Sequence, residues 1–192
     1  MTNIETAPET PPAREETSML RWLIETALLV LLAFALAQGI KVFLVQPFVI
    51  PTGSMIPTIE IGNRVLAEKL TFRFSRPPRY DDIVVFADPK GQHPALIKRT
   101  IAVGGQTVDL RDGFVYVDGV KLSEPYTHGQ RSDPLDSSIT YPYRVPDGNI
   151  WVMGDNRTNS GDSRYFGPIA LSAVQGHAVW TYWPPKAFGE LR

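Results

Sequence analysis

A run of apolar residues beginning at Trp22, "WLIETALLVLLAFALAQGIKVFLVQPFVI", limits what this chain can fold into more than any other feature. As a helix, Trp22 to Val45 spans roughly 36 Å, enough to cross the hydrocarbon core of a bilayer. Glu25 and Lys41 lie near its two ends, where their stems can carry the charges toward the headgroups. A cleavable secretory signal is the competing reading, because "ALAQ" at Ala35 to Gln38 has the small-x-small pattern of a cleavage site. Two features oppose it. The preceding segment is long and carries Glu5, Glu9, Glu15 and Glu16 against Arg14 and Arg21, and the apolar run continues well beyond Ala37. The expected organisation is a disordered tail over residues 1–19, rich in Pro, Glu and Thr, an anchor over 20–46, and a β-rich domain over 47–192 with a small insertion around 112–148.

After Pro51 the pattern changes to short β-type runs: "RVLAEKL", "DIVVF", "ALIKRTIAV", "TVDL", "FVYVDG", "NIWVMG" and "HAVWTYW". Asp112-Gly113 and Asp118-Gly119 bracket "FVYV" as hairpin turns, and Pro146-Asp147-Gly148 introduces "NIWVM". The fold class is therefore mainly β, an antiparallel domain tethered by one N-terminal transmembrane helix. The polar, Pro-rich stretch from Glu124 to Gly148 reads as an excursion over the surface. A formal net charge of -1 with scattered Lys and Arg provides no basic field for nucleic acid. With Cys 0 there is no disulfide, thiol nucleophile or thiolate metal site, and three histidines far apart in sequence argue against a metal centre.

Three stretches could carry chemistry. In "PTGSMIPTI", Ser54 follows Gly53 between Pro51 and Pro57, a loop with little freedom to lose, as a nucleophile requires. A serine hydroxyl also needs a base. His93 sits in the turn-like "KGQHPA", His128 in the polar excursion and His177 at a strand start, all readable as solvated or edge residues. Among the six lysines, Lys41, Lys69, Lys90, Lys121 and Lys186 have solvated contexts. Lys98 alone interrupts an apolar strand, and a period of two puts it on one face with Leu96, Thr100 and Ala102. Such a site would desolvate the amine; an edge lysine reaching back to water is the other reading. The third stretch is "GDNRTNSGDSRYFG", Gly154 to Gly167. Read as a calcium loop from Asn156, it places Gly167 where a bidentate glutamate belongs and is interrupted by arginines, so ion pairing among Asp155, Arg157, Asp162, Arg164 and Arg99 fits better.

In this order behind an N-terminal anchor, these segments resemble the type I signal peptidases, membrane-bound Ser/Lys proteases that remove signal peptides from exported proteins. "PTGSMIPT" is similar to the family's nucleophile box, "RVLAEK" to the strand box after it, "IKRTIAVGG" to the lysine box and "GDNRTNSGDSRYFG" to the final box. The resemblance implies Ser54 as nucleophile, Lys98 as general base, and the Thr52 hydroxyl with the Ser54 backbone N–H as oxyanion hole. It also implies Ser160 as the hydroxyl that orients the lysine, Asp162–Arg164 and Asp155–Arg99 as structural ion pairs, and Ile50, Met55, Ile59 and Ile97 as the lining of small apolar substrate pockets. It further implies acyl transfer without metal or cofactor, with preprotein signal peptides, the lipid bilayer and the secretion translocon as partners. The N terminus would be cytoplasmic and the protease extracytoplasmic at the cell membrane. Many members carry two membrane helices, and this chain has room for one before the nucleophile box. Two rivals stand beside this reading: a self-cleaving repressor of the same broad fold, opposed by the anchor, and a non-catalytic membrane-tethered β-domain acting in binding or assembly.

Overall fold

The computed structural model describes residues 19–191; the expected tail over residues 1–18 lies outside them. The chain divides into two units, the helical segment up to Gly39 and a larger unit from Ile40 onward. In the first, helix α1 runs Met19–Phe43, so Met19 opens the helix and is not part of the tail. Its stretch Met19–Ile40 is long and apolar enough to cross a membrane. Leu29, Val30, Leu31 and Phe34 are all exposed, so the helix is apolar around its circumference. Near its start Glu25 pairs with Arg21 one turn earlier at 3.0 Å.

The helix ends before the apolar run does. Expected to reach Val45, it stops at Phe43, and Val45–Val49 instead forms strand β1. Pro47 is the physical reason: it lacks an N–H and pushes the residue before it out of the helical region. A proline is tolerated there because β1 is an edge strand. β1 pairs antiparallel with β2 (Arg64–Glu68), from Val45 opposite Glu68 to Val49 opposite Arg64.

The larger unit holds two antiparallel sheets. Beyond β1 and β2, the strands are β3 (Ile83–Phe86), β4 (Leu96–Val103), β5 (Thr107–Arg111), β6 (Phe114–Val117), β7 (Val120–Lys121), β8 (Tyr143–Arg144), β9 (Asn149–Met153), β10 (Ile169–Ala170), β11 (Val174–Trp183) and β12 (Gly189–Glu190). The main sheet has the order β1-β2-β11-β3-β4-β9-β10, with β12 added on β11; the smaller has the order β7-β6-β5-β8. Both sides of β3 are covered, which explains its unbroken "IVVF". Ile83 and Val85 join a cluster with Ile50, Met55, Ile59, Val65 and Ile97, while Val84 and Phe86 join Ile150, Val152 and Ile169 on the opposite face.

Asp112 and Gly113 (φ 55° and 84°) and Asp118 and Gly119 (φ 50° and 80°) are left-handed pairs, the geometry of two-residue hairpin turns. The small sheet begins at Thr107, before the expected insertion boundary of 112. Its Val108, Val115 and Val117 share a core with Trp151 and Met153 of β9, so it continues the main unit.

Candidate active site

β4 positions the central lysine. Lys98 lies opposite Val84 and Arg99 opposite Ile83, so the two cations leave opposite faces of the strand. The alternation fails further along: a bulge between Thr100 and Ala102 sends both Ile101 and Ala102 into the small-sheet core, so Ala102 does not share the Lys98 face. Lys98 is 3% exposed, and its Nζ lies 2.6 Å from Ser54 Oγ while donating to the Ile97 carbonyl at 3.0 Å. Burial pushes the amine down to about 8, against the opposing pull of Asp162 and Asp155.

Ser54 is held from two sides. Within its own loop Ile56 N donates to Gly53 O and Ile59 N to Met55 O. From the Gly154–Gly167 segment, Asn156 N donates to Ser54 O at 3.1 Å and Asn156 Nδ2 to Gly53 O at 3.0 Å. Gly154 is required by close approach: a Cβ there would collide with Ser54 O and Ser160 Oγ. The case differs at Gly53, whose φ is not positive and where a Cβ would meet only the side chains of Ile56 and Ile61.

The charges of the same segment are consumed in buried pairs. Arg99 donates to Asp155 through Nε at 2.9 Å and Nη2 at 2.7 Å, and to Asp81 at 2.8 Å. Thr58 Oγ1 also donates to Asp155. Arg164 donates to Asp162 through Nε and Nη2, both at 2.9 Å; Asp162 also accepts from Gly154 N and caps the short helix α2 (Ser163–Phe166). Such bidentate pairs satisfy charges that would be costly alone in a dry interior.

A protein-family model described as signal peptidase, peptidase S26, matches residues 23–183. The chain belongs to the signal peptidase family. A probable signal peptidase I-1 of Synechocystis is 38% identical over 89% of this chain and 88% of its own length. A signal peptidase I of Leptolyngbya laminosa is 37% identical over 96% and 93%. A crystal structure of a signal peptidase I from Enterococcus faecalis is 32% identical, covering 53% of this chain and 97% of its own at a TM-score of 0.43, so the family assignment rests on sequence.

Against the residues expected from that family, the structure departs at two points. Ser160 is buried, but its Oγ has no hydrogen-bond partner, and Lys98 is bonded to Ser54 and Ile97 instead. Of the four expected pocket residues, Met55 and Ile59 are fully buried core, packed inside the cluster of Val65, Ile83 and Val85. Ile50 and Ile97 do border a small apolar cleft of about 40 Å³ with Phe48, Val85 and Ala95. A larger cleft of about 260 Å³ opens at Thr52, Gly53, Ser54 and Lys98, with Thr52 exposed on its rim.

Sequence reasoning missed several partners. Arg157 finds its carboxylate outside its own segment: Nε donates to the Gly154 carbonyl, while both Nη atoms reach Glu124 and Nη1 also reaches Ser132. Tyr126 lies under the Arg99 guanidinium at 4.0 Å, and its hydroxyl is pushed far up by burial. The excursion is therefore pinned to the site at its start. His177 is not an edge residue; it sits inside β11, half-buried between Glu68 and Asp82, with burial lowering its pKa.

Proposed function

We propose that this chain is a membrane-anchored serine endopeptidase that cleaves signal peptides from exported preproteins after a small-x-small motif, using Ser54 and Lys98 as its dyad. One observation carries the reading: a buried amine with a lowered pKa lies 2.6 Å from the hydroxyl of a serine held in a rigid loop. When neutral, Lys98 Nζ accepts the Ser54 proton as Oγ attacks the carbonyl that ends the signal. The tetrahedral oxyanion is met by the Ser54 backbone N–H and the Thr52 hydroxyl, each worth about 3 kcal/mol in comparable sites. Collapse expels the new amino terminus, protonated by Lys98, and leaves an acyl-enzyme. The regenerated neutral amine then activates the deacylating water.

Ser160 is assigned a positioning role. Its buried, unpartnered oxygen is available to accept from the Lys98 ammonium once Ser54 Oγ has joined the substrate. Ile50 and Ile97 line the pocket for small residues; Met55 and Ile59 support it from the core. No metal or cofactor enters this scheme. Helix α1 anchors the peptidase as a single span of the cell membrane, with the N terminus cytoplasmic and the β-domain facing the translocon exit.

The deciding experiment incubates detergent-solubilised full-length protein with a preprotein. Ser54→Ala and Lys98→Ala each reduce cleavage to background, and the double variant is no worse, because the two act as a unit. His93→Ala, His128→Ala and His177→Ala retain cleavage. Cleavage surviving in Lys98→Ala but lost in a histidine variant rejects the dyad, and no cleavage by the wild type points to a non-catalytic binding module.

A further inference from the structure

The two clefts at Ser54 differ in chemistry. Leu96 borders both. The small one is walled by apolar side chains, which suits small residues before the cut bond. The larger cleft holds Ser54 and Lys98 and is also lined by Asp88, Lys90, Gln92, His93 and Tyr165, so a peptide seated in the small cleft and cut at Ser54 would carry its following residues toward these side chains.

Those side chains include one carboxylate, Asp88, and one ammonium, Lys90, and the two differ in the hydrogen-bonding capacity they leave open to the cleft. Asp88 is occupied internally: its carboxylate accepts from the backbone N–H groups of Lys90 at 2.9 Å, Gln92 at 3.0 Å and His93 at 2.9 Å, and faces His93 Nδ1 at 3.2 Å. These bonds hold the loop in shape and engage both carboxylate oxygens, although the charge itself remains. Lys90 forms no ion pair among the described residues. Its Nζ rests 3.6 Å from the centroid of the Tyr165 ring, and Asp136 is near enough to feel its charge without bonding to it. Tyr165 directly follows Arg164, which is fixed to Asp162, so the backbone that carries the ring is anchored. An ammonium on such a ring keeps donors free for an acceptor in the cleft.

We propose that Lys90 is a specificity-determining residue that favours preproteins carrying a carboxylate within the first three positions after the cleaved bond. This rests on the Ser54/Lys98 reading above. The lysine touches no reacting atom; it acts on which substrates are processed. Its effect has the size of an exposed ion pair and is sensitive to salt.

The test pairs preproteins that differ only by Glu or Lys at the first, second or third mature position, competing for detergent-solubilised full-length enzyme. For at least one position the wild type processes the Glu form about threefold faster, as an exposed pair allows. Lys90→Glu inverts the ratio, Lys121→Glu on the small sheet leaves it as in the wild type, and about 0.5 M salt flattens it. Equal ratios in wild type and Lys90→Glu, with cleavage intact, overturn this proposal and leave the dyad standing. No cleavage of any substrate by the wild type overturns both.

Discussion

At the scale of single residues, Lys98 has the sharpest consequence. Because its amine titrates near 8, the neutral base is scarce at low pH and fills in as pH rises through that value. The cleavage rate should climb about tenfold per pH unit on the acid side and level off above about 8. A limb rising only near the ordinary lysine value of about 10.4 refutes the buried base. The shift also has a stability sign. Between about 8 and the ordinary value of 10.5 the unfolded chain holds the extra proton, so folding gains stability as pH rises through that window. If Ser160 takes the positioning role proposed above, Ser160→Ala lowers kcat with KM little changed, since the residue lines neither cleft; steady-state kinetics separate the two. Lys98 stood out in the sequence because a charge inside an apolar strand is rare, but its context alone fitted an edge lysine equally well, and the family resemblance supplied the base role. Ser160 was legible only as a place, since whether its hydroxyl meets the amine depends on where Gly154 lets two chains approach.

At the scale of elements, the informative boundary is the passage from α1 to β1. An apolar run carries no period that distinguishes a buried strand from the end of a membrane helix. Pro47 marks the break, and only pairing with β2 establishes the residues around it as a strand. The same helix decides the fate of "ALAQ". The bond after Ala37 lies within α1, where backbone hydrogen bonds are closed and the extended strand a protease reads is not formed. The enzyme is therefore expected to spare itself, and intact-mass measurement of membrane-purified protein should find α1 retained. A mature chain beginning at Gln38 identifies a cleaved signal instead and removes the anchor.

At the scale of the whole molecule, the site is tied to distant chain. Arg157, with its side chain fully buried, takes its carboxylate from Glu124, at the start of the excursion. Removing that partner leaves a buried charge uncompensated, a loss of about 3 to 5 kcal/mol. Glu124→Ala should therefore lower Tm by about 10 °C for a chain of this size. Thermal unfolding followed by circular dichroism in detergent measures it. An unchanged Tm shows that Ser132 and the Gly154 carbonyl suffice to hold Arg157.

The sequence by itself determined the elements whose cause is local. Short apolar runs bounded by turn residues marked β3 and β4, Asp-Gly pairs marked the hairpins, and continuous apolarity marked α1. It also carried the four boxes that identify the family. Tertiary structure alone decided that Ser54 and Lys98 touch, that Met55 and Ile59 fill core while Ile50 and Ile97 reach a cleft, and that Arg157 pairs with Glu124. The division has a physical reason. Backbone periodicity and turn geometry are set by covalent neighbours, whereas desolvation, close approach and ion pairing depend on atoms brought near only when the chain closes on itself.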